Sequence, residues 1–129
     1  MIEYAHHRHG EYDVLENSFE GNKELYFEQI DWSSEVEKSN TLERVSPTLS
    51  YKEINGDSLI WVSVVGDRDD FMFYSAWSYR GEIRKLFGLY KKVGLIEKKA
   101  VFSYPLAKEA LNLFLAGSYE KLSELYNSA

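Results

Sequence analysis

The chain has 129 residues, 21 acidic and 15 basic, for a formal net charge of -6, and no cysteine. One core fits that length, two independent domains do not, and disulfide frameworks, thiolate metal sites and cysteine chemistry are excluded. An apolar fraction of 44% with 16% aromatics is too rich for a disordered chain.

The start, Met1-Ile2-Glu3-Tyr4-Ala5-His6-His7-Arg8, lacks a basic leader ahead of an apolar run, which predicts no signal peptide. No apolar stretch approaches the roughly 18 residues of a membrane span. The expected product is a small soluble globule whose composition fits an intracellular binding protein as well as a small enzyme. Ile2 to His7 is read as a short edge strand closed by Gly10, and Glu11 to Leu15 as a strand or an irregular acidic segment. Leu25-Tyr26-Phe27 favours a strand within Glu24–Ile30. The serine patches predict loop over 33–46, with at most a short helix from Asn40 to Val45 ahead of Pro47.

The centre reads more sharply. Thr48 to Ile54 forms a strand, and Asn55-Gly56-Asp57 turns the chain. Ser58 to Val65 (SLIWVSVV) predicts a central strand covered on both faces. Gly66-Asp67-Arg68-Asp69-Asp70 is the next turn, and Phe71 to Trp77 (FMFYSAW) completes a three-stranded antiparallel meander. Ile83, Leu86, Phe87 and Tyr90 have helical spacing over Glu82 to Tyr90, although the same stretch also reads as two short strands. Lys99 to Ser103 adds a strand. Pro105 opens an amphipathic helix with Leu106, Leu111, Phe114 and Leu115 in its stripe, and Gly117 stops it. Ser118 to Tyr126 is a tail offering Leu122, Leu125 and Tyr126 for docking. The expected fold is α+β: one domain with a central antiparallel β-meander, and a C-terminal amphipathic helix packed against the sheet. An acidic, aromatic-rich front segment, 1–47, precedes a sheet-and-helix scaffold, 48–126.

Charge is unevenly placed. Residues 1–50 hold 11 acids and four bases, a net of -7, while residues 51–129 carry +1. Between Glu11 and Glu37 nine acids face a single base, Lys23, and aromatics interrupt the run. Two readings follow: a solvated face on an ordinary fold, or a negative surface with aromatic anchors suited to a basic protein. The second selects Glu24, Glu28, Asp31 and Trp32, with Trp32 as a partly exposed anchor. Asp67, Asp69 and Asp70 are either a solvated turn or a projecting carboxylate group. Trp77 could line a groove, whereas Trp61 is assigned to the core. The acidity argues against a nucleic-acid backbone as partner.

All three histidines fall at His6, His7 and His9. On a strand His7 and His9 would share a face and His6 would not, so they are weak metal candidates. No phosphate loop, dinucleotide-binding motif or nucleophile elbow occurs, and no cofactor or catalytic residue is expected. A small enzyme built on the histidines and a self-associating structural or adaptor protein are the alternatives to a binding protein.

Asn55-Gly56-Asp57-Ser58-Leu59 leading into a strand, the Phe71-to-Trp77 strand, Pro105-Leu106, Ala110-Leu111 and Phe114-Leu115-Ala116-Gly117 together form a pattern. It resembles the immunity proteins of bacterial polymorphic toxin systems, over about residues 48–126. Where that family often carries a tryptophan in its final segment, this chain has Leu125 and Tyr126. The resemblance implies a cytoplasmic protein that neutralises a cognate toxin encoded nearby, often a nuclease or deaminase, by clamping it or covering its active site. It implies no chemistry of the protein's own.

Overall fold

The computed structural model describes residues 2–8, 11–15, 27–42, 48–53, 56–85 and 90–129; side chains are described for 27–38, 40, 48–53, 56–81 and 93–129. Strands β1 (Ile2–Arg8), β2 (Glu11–Leu15), β3 (Thr48–Glu53), β4 (Leu59–Asp67), β5 (Asp70–Lys85) and β6 (Tyr90–Phe102) form one sheet. Its order is β2-β1-β3-β4-β5-β6, and every pairing is antiparallel. Helices α1 (Trp32–Leu42), α2 (Tyr104–Leu115) and α3 (Tyr119–Ser128) complete an α+β fold.

Four strands, β3 to β6, make the meander: the three predicted for it and β6, whose last residues include the further strand read from Lys99. The helical reading of Glu82 to Tyr90 is corrected: β5 continues to Lys85, β6 begins at Tyr90, and Gly81 lies opposite Gly94 inside the ladder. β1 is an interior strand rather than an edge, because it pairs with both β2 and β3. The predicted strand over Glu24–Ile30 is also corrected where it is described, since Phe27 to Gln29 are helical.

The loop predicted over 33–46 is instead α1 as far as Leu42. Asp31 explains its start. The carboxylate Oδ1 accepts the backbone N–H of Ser34 at 3.2 Å, capping an otherwise orphan donor of the first turn. Trp32 and Val36, one turn apart, are both buried against the sheet.

Burial alternates along the strands, and that alternation defines the core. Leu49, Tyr51, Ile60, Val62, Val64, Phe73, Trp77 and Phe102 point to one side, where they meet Phe27, Trp32 and Val36. Ala107, Ala110, Leu111 and Phe114 of α2 and Leu122 and Tyr126 of α3 close the same core. Leu106, assigned to the buried stripe by spacing, is exposed instead. Pro105 lies in the first turn of α2, and Gly117, at φ +72°, ends it. The predicted tail is α3. β4 is central, but only one of its faces is covered by helices, so Trp61 is partly exposed rather than core.

One buried polar chain ties α3 to the sheet. Ser75 Oγ donates to the Trp61 carbonyl at 2.8 Å, which spends its only proton; Tyr126 O–H therefore donates to Ser75 Oγ, 2.5 Å away. Burial pushes the Tyr126 hydroxyl up to about 12, opposed in part by Ser75, whose hydroxyl can turn to donate to a phenolate. The folded-state value lies above the unfolded one, so the stabilisation is complete below the unfolded value and is lost as pH rises between them. Unfolding free energy should fall by about 2–3 kcal/mol between roughly pH 10 and pH 12 through this group. Urea titrations of wild type and Tyr126→Phe across that window isolate it: the variant starts lower at neutral pH and loses less on going alkaline.

Candidate functional site

The acidic residues separate into two kinds once their surroundings are known. Glu28 forms an ion pair with Lys108 of α2, and hydrogen bonding to Glu28 raises the Lys108 ammonium above its ordinary value. Asp31 caps α1. Both positions therefore contribute to the intramolecular architecture. Glu24 lies outside the described residues.

Asp67, Asp69 and Asp70 differ. All three are exposed at the tip of the β4–β5 hairpin, and no ion pair reaches them among the described residues. Asp67 and Asp70 are directly opposed cross-strand partners around the two-residue turn Arg68-Asp69. Like charges in that relation repel. The turn places them regardless, because the adjoining β4 and β5 are paired along nine register positions.

α1 holds this tip through two residues that sequence reasoning missed. Glu37 Oε2 receives Arg68 Nη1 at 2.6 Å, and Asn40 Nδ2 donates to the Gly66 carbonyl at 2.8 Å. Arg68 is thereby turned onto α1, which leaves the three aspartates without that cation. No sequence signal linked 37 and 40 to 66 and 68, since the region was read as loop.

Trp32, read as a partly exposed anchor, is buried, whereas Trp77, read as lining a groove, does line one. Trp32 is only 2% accessible; its indole N–H donates to the Phe27 carbonyl at 3.0 Å, and its ring stands edge-on to Phe73. Asp31 beside it is exposed, while Glu35 is buried and the indole enters the core. Trp77 is likewise 2% accessible. Its N–H donates to Ser58 Oγ at 3.1 Å and its ring stacks on Tyr79 at 4.3 Å. It nevertheless forms the floor of a shallow groove of about 440 Å³, walled by Tyr79, Tyr119, Glu53, Asp57 and Glu120. Within that wall Arg80 Nε pairs with Asp57 Oδ2 at 2.5 Å.

His6 and His7 are successive residues of β1, so they alternate in the pleat, and His9 lies outside the described residues. Among the described residues no group of three or more histidine or carboxylate side chains is arranged to hold a metal ion. No described helix is long and apolar enough to cross a membrane.

Compared with known protein families, curated proteins and solved structures, the chain matches none of them. The chemistry of the site therefore stands on its geometry. A rigid hairpin tip bearing three solvated carboxylates can attract and orient a cationic surface.

Proposed function

We propose that this chain is an immunity protein: it binds a cognate bacterial toxin with a basic active site, such as a nuclease or deaminase, and neutralises it in the cytoplasm without chemistry of its own. The observation that carries the reading is the hairpin tip, where Asp67, Asp69 and Asp70 are exposed while Glu37 and Asn40 fix the backbone beneath them. A basic toxin site answers this tip in charge. Lysines or arginines brought against Asp67 and Asp70 also relieve the repulsion between those two carboxylates. The resemblance over residues 48–126 supports the same reading.

The test is co-purification with the product of the adjacent gene, inactivated at its own active site. A tight complex is expected, with an association rate that falls as salt rises. Replacing Asp67, Asp69 and Asp70 together by lysine should weaken it by about 100-fold or more and abolish protection, with the melting temperature little changed, because all three positions are solvated. Absence of a complex would refute toxin binding; a complex indifferent to the triple exchange would remove the hairpin from the interface.

A further inference from the structure

The helices pack on one side of the sheet, and among the described residues no element covers the other. Strand alternation and register gather apolar side chains on that open side: Trp61 on β4, Met72 and Tyr74 on β5, and Val93, Leu95 and Val101 on β6. Tyr74 is 52% exposed, Val93 63% and Leu95 65%. Of the large hydrophobics exposed among the described residues, only Leu106, on α2, lies elsewhere. The open-side residues fall in two clusters, Trp61, Met72, Tyr74 and Val101 towards the hairpin and Val93 and Leu95 further along β6, with Glu97 and Lys99 between them. Exposed apolar side chains gathered on one face mark an interaction surface more often than an ordinary solvated face.

Charge identifies the occupant. On this side Lys99 pairs with Glu97 at 3.2 Å, and Lys52 of β3 is exposed with no ion pair among the described residues, so the described part of the face has no acidic excess. Two copies of a protein with net charge -6 repel wherever their acidic excess is brought together. The open face carries no such excess, and Asp67 and Asp70 stand only at its hairpin end, beyond Val65 and Met72. A strongly basic partner finds no acidic excess there to answer, except at the hairpin end. A second copy of the same surface loses nothing to repulsion there.

Size agrees. Four strands about 4.8 Å apart and roughly ten residues long make a face on the order of 600 Å². β1 and β2 extend it towards the roughly 800 Å² per partner of a standard interface.

We propose that the open sheet face is a self-association surface, occupied by the same face of a second copy about a two-fold axis. Two-fold pairing places Tyr74 and Val101 of one copy within the shared apolar layer and leaves the two acidic hairpin tips at its perimeter. This goes beyond the toxin-binding reading and stands or falls separately from it.

Light scattering after size exclusion, from low micromolar to millimolar protein, tests the proposal on the chain alone. Twice the 15.0 kDa chain mass is expected at the upper end, with dissociation on dilution. The double variant Tyr74→Glu, Leu95→Glu should remain at 15.0 kDa throughout with an unchanged circular dichroism spectrum. Leu106→Glu should behave as wild type. A milder exchange, Val101→Lys, should raise the dissociation midpoint by about tenfold, which keeps the test decisive should the double variant misfold. A wild-type chain that stays monomeric at millimolar concentration overturns the proposal. So does a folded double variant that still dimerises, or a Leu106→Glu exchange that dissociates the dimer while Val101→Lys does not.

Discussion

Phe73→Ala should destabilise the protein by about 3–5 kcal/mol, the cost of removing a fully buried aromatic ring and leaving most of its volume empty. Phe73 has no accessible surface. Its ring centroid lies 5.3 Å from Phe27, 5.1 Å from Trp32 in an edge-on contact, 5.8 Å from Phe71 and 6.2 Å from Tyr104. Those partners come from the helical turn at 27–29, the start of α1, the same strand and the start of α2. The cavity would thus loosen the contacts of both helices with one strand. Against a typical total of about 5–15 kcal/mol, the loss is a large share. Urea denaturation should show a lower midpoint at nearly constant slope. Tyr74→Ala, one residue along and on the open side, should cost under about 1 kcal/mol in the monomer. Equal losses at 73 and 74 would mean that β5 does not separate a packed face from an open one.

That comparison also shows what the sequence disclosed and what it concealed. FMFYSAW was legible as a strand, and its period of two already separates Phe73 from Tyr74. Which side the helices would cover was not legible, because both sides of β4 and β5 are rich in apolar residues; SLIWVSVV therefore read as covered on both faces. The β4–β5 turn was plain from its run of Gly and Asp. β6 and the far half of β5 were obscured by the helical spacing of Ile83, Leu86, Phe87 and Tyr90, although Gly81 and Gly94 lie opposite each other in the ladder.

At the candidate site the failures share one cause. Ser33, Ser34 and Glu35 resemble loop by composition, yet with Asp31 as cap they form the first turn of a helix. Once α1 is missed, Trp32 loses its reason to be buried, and Glu37 and Asn40 lose any connection to the hairpin. Asp67, Asp69 and Asp70 were visible as a carboxylate group from sequence. Their freedom from ion pairs among the described residues follows from Arg68 turning onto α1, a tertiary contact that local pattern does not encode.

Gly66→Ala should be the most damaging conservative change at the hairpin, costing about 2–4 kcal/mol. Gly66 has φ +115°, a region closed to residues with a Cβ. A Cβ there would lie 2.5 Å from the Asp70 carbonyl oxygen and 3.0 Å from the Phe71 Cα. Both are backbone atoms of the paired strand, so no side chain can rotate away to relieve the contact. The ladder between Gly66 and Phe71 must open, which carries Asp67 and Asp70 with it and strains the bond from Asn40 to the Gly66 carbonyl. Gly117→Ala is the matched control: φ is +72° and no atom lies within 4 Å of the added methyl, so only the backbone preference of about 1 kcal/mol is lost. Thermal melts of the two variants should therefore differ clearly, with Gly66→Ala the lower. The same variant separates charge from placement in toxin binding. It keeps every carboxylate, so long-range steering and the salt dependence of association should persist while the dissociation rate rises. If the complex with the toxin dissociates at the wild-type rate despite a measured loss of hairpin stability, the tip steers the partner without touching it.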